Sequence, residues 1–166
     1  MPATVLGNVE INDDRIDRHL RHHERYAQPS PSGRWTFTLL RLPLAELYCP
    51  YDDPGVRDVT NRAGLMGSIG LSRTGYAGTR VVDLAMHIET ALAAGRADLT
   101  NPALECVLKY RDLGTGHIYS QDQPLAIFQW DGRWAVREGI HRSVALALLG
   151  QATIEALDFN SGTVRC

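Results

Sequence analysis

The chain is short of cysteine, of net charge and of long apolar runs, and each shortage closes off a class of protein. Its three cysteines, Cys49, Cys106 and Cys166, are odd in number and scattered. None stands in a CxxC or CxxH pair, which argues against a disulfide framework or a zinc knuckle and for a reduced, cytoplasmic setting. The formal net charge is −2 and the isoelectric point is near 6.3, so no global field draws the chain to nucleic acid or anionic lipid. No apolar run approaches the length of a membrane span, and the N-terminus lacks the apolar core of a signal peptide. What is there is 166 residues, 44% hydrophobic and 22% charged, enough for one globular domain with its own core.

Residues 1–33 read as an N-terminal arm, partly helical or flexible, and 34–166 as the domain. Asp13 or Asp14 is placed to cap a short helix through Tyr26, and Pro29, Pro31 and Gly33 then break the chain as a linker does. His19, His22 and His23 have helical spacing, but on a polar arm they read as a solvated face, and no metal site is expected. Trp35 to Leu42 reads as a strand ended by Pro43, with a short turn over Leu44 to Leu47. Asn61 to Arg80 carries five glycines, three arginines and no acid, and reads as a basic, flexible loop able to close over an anion.

Val81, Leu84, Ala85, Ile88 and Leu92 form one apolar stripe at helical spacing, with Gly95 as the stop. Ala103 to Leu108 after Asn101-Pro102 reads as a strand, and Tyr110 to Gln123 as a polar insertion or long turn. Leu125 to Trp130 and Arg133 to Arg137 are two strands joined by Asp131-Gly132, a strong hairpin signal. Trp130 and Trp134 flank that turn and read as cross-strand packing. His141 to Leu149 is helical, and Thr153 to Phe159 is a last strand. The order gives a mixed α/β (α+β) domain.

The strand-to-helix junction carries the chemistry. There the first amides of the helix lack intrahelical partners, and the positive end of the helix dipole lies behind them. Gly139 lets a bound group come close to the backbone. Arg142 offers a bidentate contact to phosphate oxygens, His141 a ring donor and Ser143 a hydroxyl. Two potentially cationic side chains in a first turn oppose the dipole, and a bound anion would offset them.

The run from Asp131 to Ala145, with Gly139-Ile140-His141-Arg142 at its centre and Leu149-Gly150 after it, resembles the ParB/sulfiredoxin superfamily. Arg80 to Ile88 is similar to that family's helix, and Asn101 to Val107 to the strand after it. The resemblance covers roughly 36–159. It implies a ParB/sulfiredoxin-like mixed sheet with packed helices, and a nucleotide held by Gly139, Ile140, His141, Arg142 and Ser143. Arg80, Asp83 and His87 take the places of the helix's basic and polar contacts, although Asp83 and His87 depart from the Ser/Thr types usual in sulfiredoxins. Ile140 stands where sulfiredoxin has its reactive cysteine, so sulfinic-acid repair has no nucleophile. No helix-turn-helix follows the last strand, which argues against chromosome partitioning. Stand-alone members of this fold include small-molecule kinases.

The function expected is therefore nucleotide binding, of ATP, ADP or CTP with Mg²⁺, and phosphoryl transfer to a small molecule or NTP hydrolysis. Glu46 and Glu138 are the carboxylates placed to accept a proton, with Asp52 and Asp53 as further acids and His141 as a third catalytic candidate. A DNA-binding or nuclease module is one competing class, and the acidic balance opposes it. A biosynthetic enzyme using the anion pocket for a phosphorylated or carboxylated substrate is another. No membrane partner is expected, and a homodimer is compatible with the sequence.

Overall fold

The computed structural model describes residues 3–11, 34–49, 59–71, 78–119, 125–130 and 132–165. Their elements are, in chain order, β1 (Thr4–Ile11), β2 (Arg34–Pro43), a 3-10 turn (Leu44–Glu46), β3 (Leu47–Tyr48), α1 (Val59–Ser68), α2 (Val81–Ala93), α3 (Pro102–Leu113), α4 (Thr115–Tyr119), β4 (Ala126–Trp130), β5 (Arg133–Glu138), α5 (Ile140–Leu148) and β6 (Thr153–Arg165). The strands form one six-stranded sheet ordered β1-β2-β6-β4-β5-β3. Pairing is antiparallel except for β4 with β6 and β3 with β5. The mixed α/β architecture is thus as the element order implies.

Alternation along the strands sends neighbouring residues to opposite faces, and this divides the apolar residues into two clusters. Leu40, Leu42, Ile127, Val136 and Ala156 join the helical residues in the larger one. Trp35, Phe37, Phe128, Ala135, Leu157 and Phe159 make the smaller one. Within it Phe37 stacks against Trp35 at 5.9 Å and against Phe159 at 5.2 Å. On the helical side α5 is central and packs on both α2 and α3.

The stripe on α2 behaves as its spacing requires: Val81, Leu84, Ala85 and Ile88 are all buried. The Asp131-Gly132 hairpin is also borne out, in that β4 and β5 pair from Trp130↔Arg133 back to Ala126↔Glu138. Its tryptophans do not face each other, because Trp134 lies opposite Gln129 and Trp130 opposite Arg133. Trp130 packs on the smaller cluster and Trp134 on the larger.

Other expectations are corrected. The start of the glycine-rich stretch, 61–68, belongs to helix α1, with Leu65 and Met66 buried. Gly64 suits a close approach there: a Cβ on it would lie 3.3 Å from the Cβ of Ala103 on α3. Residues 72–77, with Arg73 and Gly75, lie outside the described residues. Ala103–Leu108 is helix, not strand. Asn101 caps α3 by accepting from the Ala103 amide at 2.9 Å, and Pro102 takes the first turn, where its missing N–H costs nothing. The family-like strand over Asn101 to Val107 is therefore absent. The polar insertion from Tyr110 is the end of α3 and then α4, and 120–124 lie outside the described residues. The N-terminal arm contributes edge strand β1, whose antiparallel partner is β2. The expected helix over 13–26 and its histidines, and Asp52 and Asp53, also fall outside the described residues. The last strand runs on to Arg165. No helix among the described residues is long and apolar enough to cross a membrane.

Candidate functional site

The strand, glycine and helix of the expected anion turn are all present. Gly139 follows β5 with φ 98° and ψ 40°, in the left-handed region, and α5 starts at Ile140. What fills the turn is different from what the sequence suggests. Arg142 is only 5% exposed and Ser143 only 1%. The guanidinium of Arg142 folds back against the turn, so that a Cβ on Gly139 would sit 3.1 Å from one of its nitrogens and 2.4 Å from Cδ2 of Leu125. Arg142 also donates to the Ile118 carbonyl at 3.4 Å. Burial pulls this guanidinium below its ordinary range, while Tyr110 and Glu138 act in the opposite sense. Both the amide and the hydroxyl of Ser143 donate to the Gly139 carbonyl, at 2.9 and 2.8 Å.

Arg142 and Ser143 are thus turned inward. An arginine in a first turn that opposes the dipole has a second solution, which is to turn inward toward a carbonyl, a phenol and a nearby carboxylate. Ile140 is buried in the larger cluster, as its isoleucine side chain demands. Glu138, Gly139 and His141 remain half-buried. The His141 Nε2 is buried with no hydrogen-bond partner among the described residues, and burial lowers its pKa from the ordinary 6.5. A histidine so depressed binds its proton more weakly folded than unfolded. Its stabilising contribution is therefore complete above pH 6.5 and erodes as pH falls below that value toward the folded one. Urea midpoints between pH 5 and 8 should drop on the acid side, and His141→Gln should flatten that drop.

A second site gathers residues that the sequence scatters. An open cavity of about 480 Å³ is lined by Glu46, Tyr48, Arg80, Gln129, Arg133 and Trp134, among others. Pro43 ends β2, and the 3-10 turn over Leu44–Glu46 brings Glu46 to its wall. Strand β3 then pairs with β5, Leu47 with Trp134 and Tyr48 with Ala135. The chain returns beside it through Cys49 N–H to Thr79 carbonyl at 2.8 Å and a bridge between Tyr48 and Arg80. This bridge fixes the backbone of Arg80 at the N-cap of α2.

Among the described residues, the charged groups that line the cavity are two guanidiniums and one carboxylate. Arg133 lies over the Tyr48 ring, 4.8 Å from its centroid, a cation–π contact. Arg80 makes a bidentate pair with Asp83, Nε to Oδ2 at 2.8 Å and Nη2 to Oδ1 at 3.0 Å. That hydrogen bond and charge hold the Arg80 guanidinium above its ordinary range. Asp83 suits the first turn of α2, where the helix dipole favours an acid. His87 lies one turn further along α2 and is half-buried.

Of the expected residues, then, the fold joins Glu46 and Arg80 at one cavity and Asp83 to Arg80. It puts Glu138, Gly139, Ile140, His141, Arg142 and Ser143 elsewhere. Gly139 is five residues along from Trp134, about 16 Å at the rise of a strand. Tyr48, Gln129 and Arg133 are site residues the sequence does not announce: β3 is two residues long, and an arginine after a hairpin turn has no motif around it. Among the described residues, no group of three His, Cys, Asp or Glu side chains could hold a metal ion. With Glu46 as the carboxylate lining this cavity, a magnesium ion would depend mainly on oxygens of a phosphate ligand. Cys49 is buried and Cys106 half-buried. Comparison of the chain with protein-family models, with curated proteins and with solved structures found no match.

Proposed function

We propose that the protein binds a nucleotide by its phosphates at the cavity between the 3-10 turn, β3, the β4–β5 hairpin and the start of α2. There it transfers a phosphoryl group to a small molecule or to water. One observation carries this reading: Glu46 and Arg80, 34 positions apart and each a candidate on sequence grounds, line the same cavity with Arg133. Arg80 and Arg133 supply the paired charge that a polyphosphate needs, and guanidinium forks match its oxygens two at a time. Glu46 accepts the proton of the attacking hydroxyl. Tyr48 and Trp134 offer aromatic surface to a base. Magnesium, when bound with the nucleotide, neutralises developing phosphate charge. The ParB/sulfiredoxin resemblance supports the ligand class, and this reading moves the phosphate grip from Arg142 to Arg80 and Arg133.

A second reading keeps the cavity and drops the nucleotide, giving a phosphorylated or carboxylated substrate. The roughly balanced charge of the wall, with Asp83 already on Arg80, favours a ligand of fewer negative charges.

Melting curves with ATP, ADP and CTP, each with Mg²⁺, separate the two. A ligand at about a hundred times its Kd stabilises by about 2.7 kcal/mol, which raises the melting temperature of a domain this size by about 5–10 °C. The shift should vanish in Arg80→Gln and Arg133→Gln. A full shift in both variants places the ligand elsewhere. No shift with any nucleotide, but one with phosphorylated or carboxylated metabolites, favours the second reading.

A further inference from the structure

Resting on the cavity assignment above, we infer that Asp83 is a built-in competitor: it holds the fork of Arg80 in place of a ligand's oxygens and so sets how tightly the cavity binds anions.

The geometry is that of a ligand mimic. The two Asp83 oxygens take Nε–H and one Nη–H of Arg80, at 2.8 and 3.0 Å. That edge presents two parallel N–H groups, the arrangement that also fits two oxygens of a phosphate or a carboxylate. The pair is half-exposed, 43% for Arg80 and 33% for Asp83, so solvent and solutes reach it. Arg80 itself lines the cavity, and its backbone is fixed by the bridge to Tyr48. An incoming anion therefore meets a guanidinium already oriented and with one of its two bidentate edges occupied. It must displace the carboxylate or share the fork against the repulsion of a like charge a few ångströms away. Asp83 keeps a place of its own meanwhile, because the first turn of α2 welcomes its charge with or without Arg80.

The opposite role makes the opposite prediction. If Asp83 served to aim Arg80 at the ligand, removing its charge would loosen the arginine and weaken binding. Asp83→Asn separates the two, since it preserves size and a hydrogen-bond acceptor while removing the competing charge.

The experiment is calorimetric titration of the whole chain with inorganic pyrophosphate and with ATP plus Mg²⁺. It uses wild type, Asp83→Asn, Arg80→Gln and the double variant. The expected result is a gain in affinity of about two- to fivefold for both probes in Asp83→Asn, the range that exposed ion pairs allow. That gain should be absent when Arg80→Gln is also present. A small fall in the melting temperature of unliganded Asp83→Asn accompanies it, from the lost helix-dipole contact. Unchanged or weaker binding in Asp83→Asn overturns the competitor role even where wild type binds ATP well, leaving the nucleotide reading intact. An Arg80-dependent gain for pyrophosphate with no ATP binding in any variant upholds the competitor and removes the nucleotide. Absence of binding to every probe in all four proteins overturns both.

Discussion

Gly139→Ala should destabilise the protein by about 2–5 kcal/mol, and two costs at one position make up that figure. The backbone at Gly139 is left-handed, with φ 98°, where an alanine carries about 1–2 kcal/mol of strain. The added Cβ would also fall 2.4 Å from Leu125 Cδ2 and 3.1 Å from the Arg142 guanidinium. Leu125 is 4% exposed and can yield only by disturbing a packed core, so overpacking adds about 1–3 kcal/mol. A urea midpoint that falls with unchanged slope is the signature. Adding Leu125→Ala to the variant relieves only the collision, so the two changes should couple, less harmful together than their separate costs summed. A loss under about 1 kcal/mol would mean that the turn relaxes freely, and that the glycine is there for reasons other than this fit.

Arg142 is the second position of large expected effect, and two substitutions should part company there. Arg142→Ala empties a buried volume beneath the Gly139 turn and leaves the Ile118 carbonyl without its donor, for a loss of about 2–4 kcal/mol. Arg142→Met refills most of that volume and removes a cation whose desolvation opposes burial, so stability should stay within about 1 kcal/mol of wild type. Circular-dichroism melts of both measure this directly. Ligand binding adds an independent readout. With the cavity at Arg80 and Arg133 as the phosphate site, Arg142→Met retains the nucleotide shift in full. A well-folded Arg142→Met that has lost the shift returns the phosphate grip to the Gly139 turn.

The sequence made legible those elements whose signal is local. The stripe on α2, the Asp-Gly hairpin and the glycine-bounded α5 each depend on neighbours within one or two turns. Helix α1 escaped because Gly64 and Gly67 lower helix propensity, and only the proximity of Ala103 accounts for the first of them. Asn101-Pro102 is a helix-start signal as much as a break between elements, and the short apolar run after it fits either period; packing of Leu104 and Val107 into the core decides for helix. The candidate site divides in the same way. Glu46 and Arg80 are singled out by what the family resemblance implies for their positions. Their meeting with Arg133 and Tyr48 was not legible, because it needs a parallel pairing between strands some 90 positions apart. Nor does composition say which way an arginine turns: Arg142 could face a ligand or a carbonyl, and tertiary neighbours choose.

The position of β6 between β2 and β4 governs how the sheet can come together. The ion pair of Arg41 with Glu155 joins β2 to β6 across 114 positions of chain. Strands β1 and β2 can pair without waiting for the rest, yet the inner edge of β2 stays open to water while the helices described between β2 and β6 are laid down. Closing a seam between such distant segments carries a large loop entropy and places the protein among slow, topology-limited folders. During that interval the open flank of β2 is the place where a neighbouring molecule could pair by mistake.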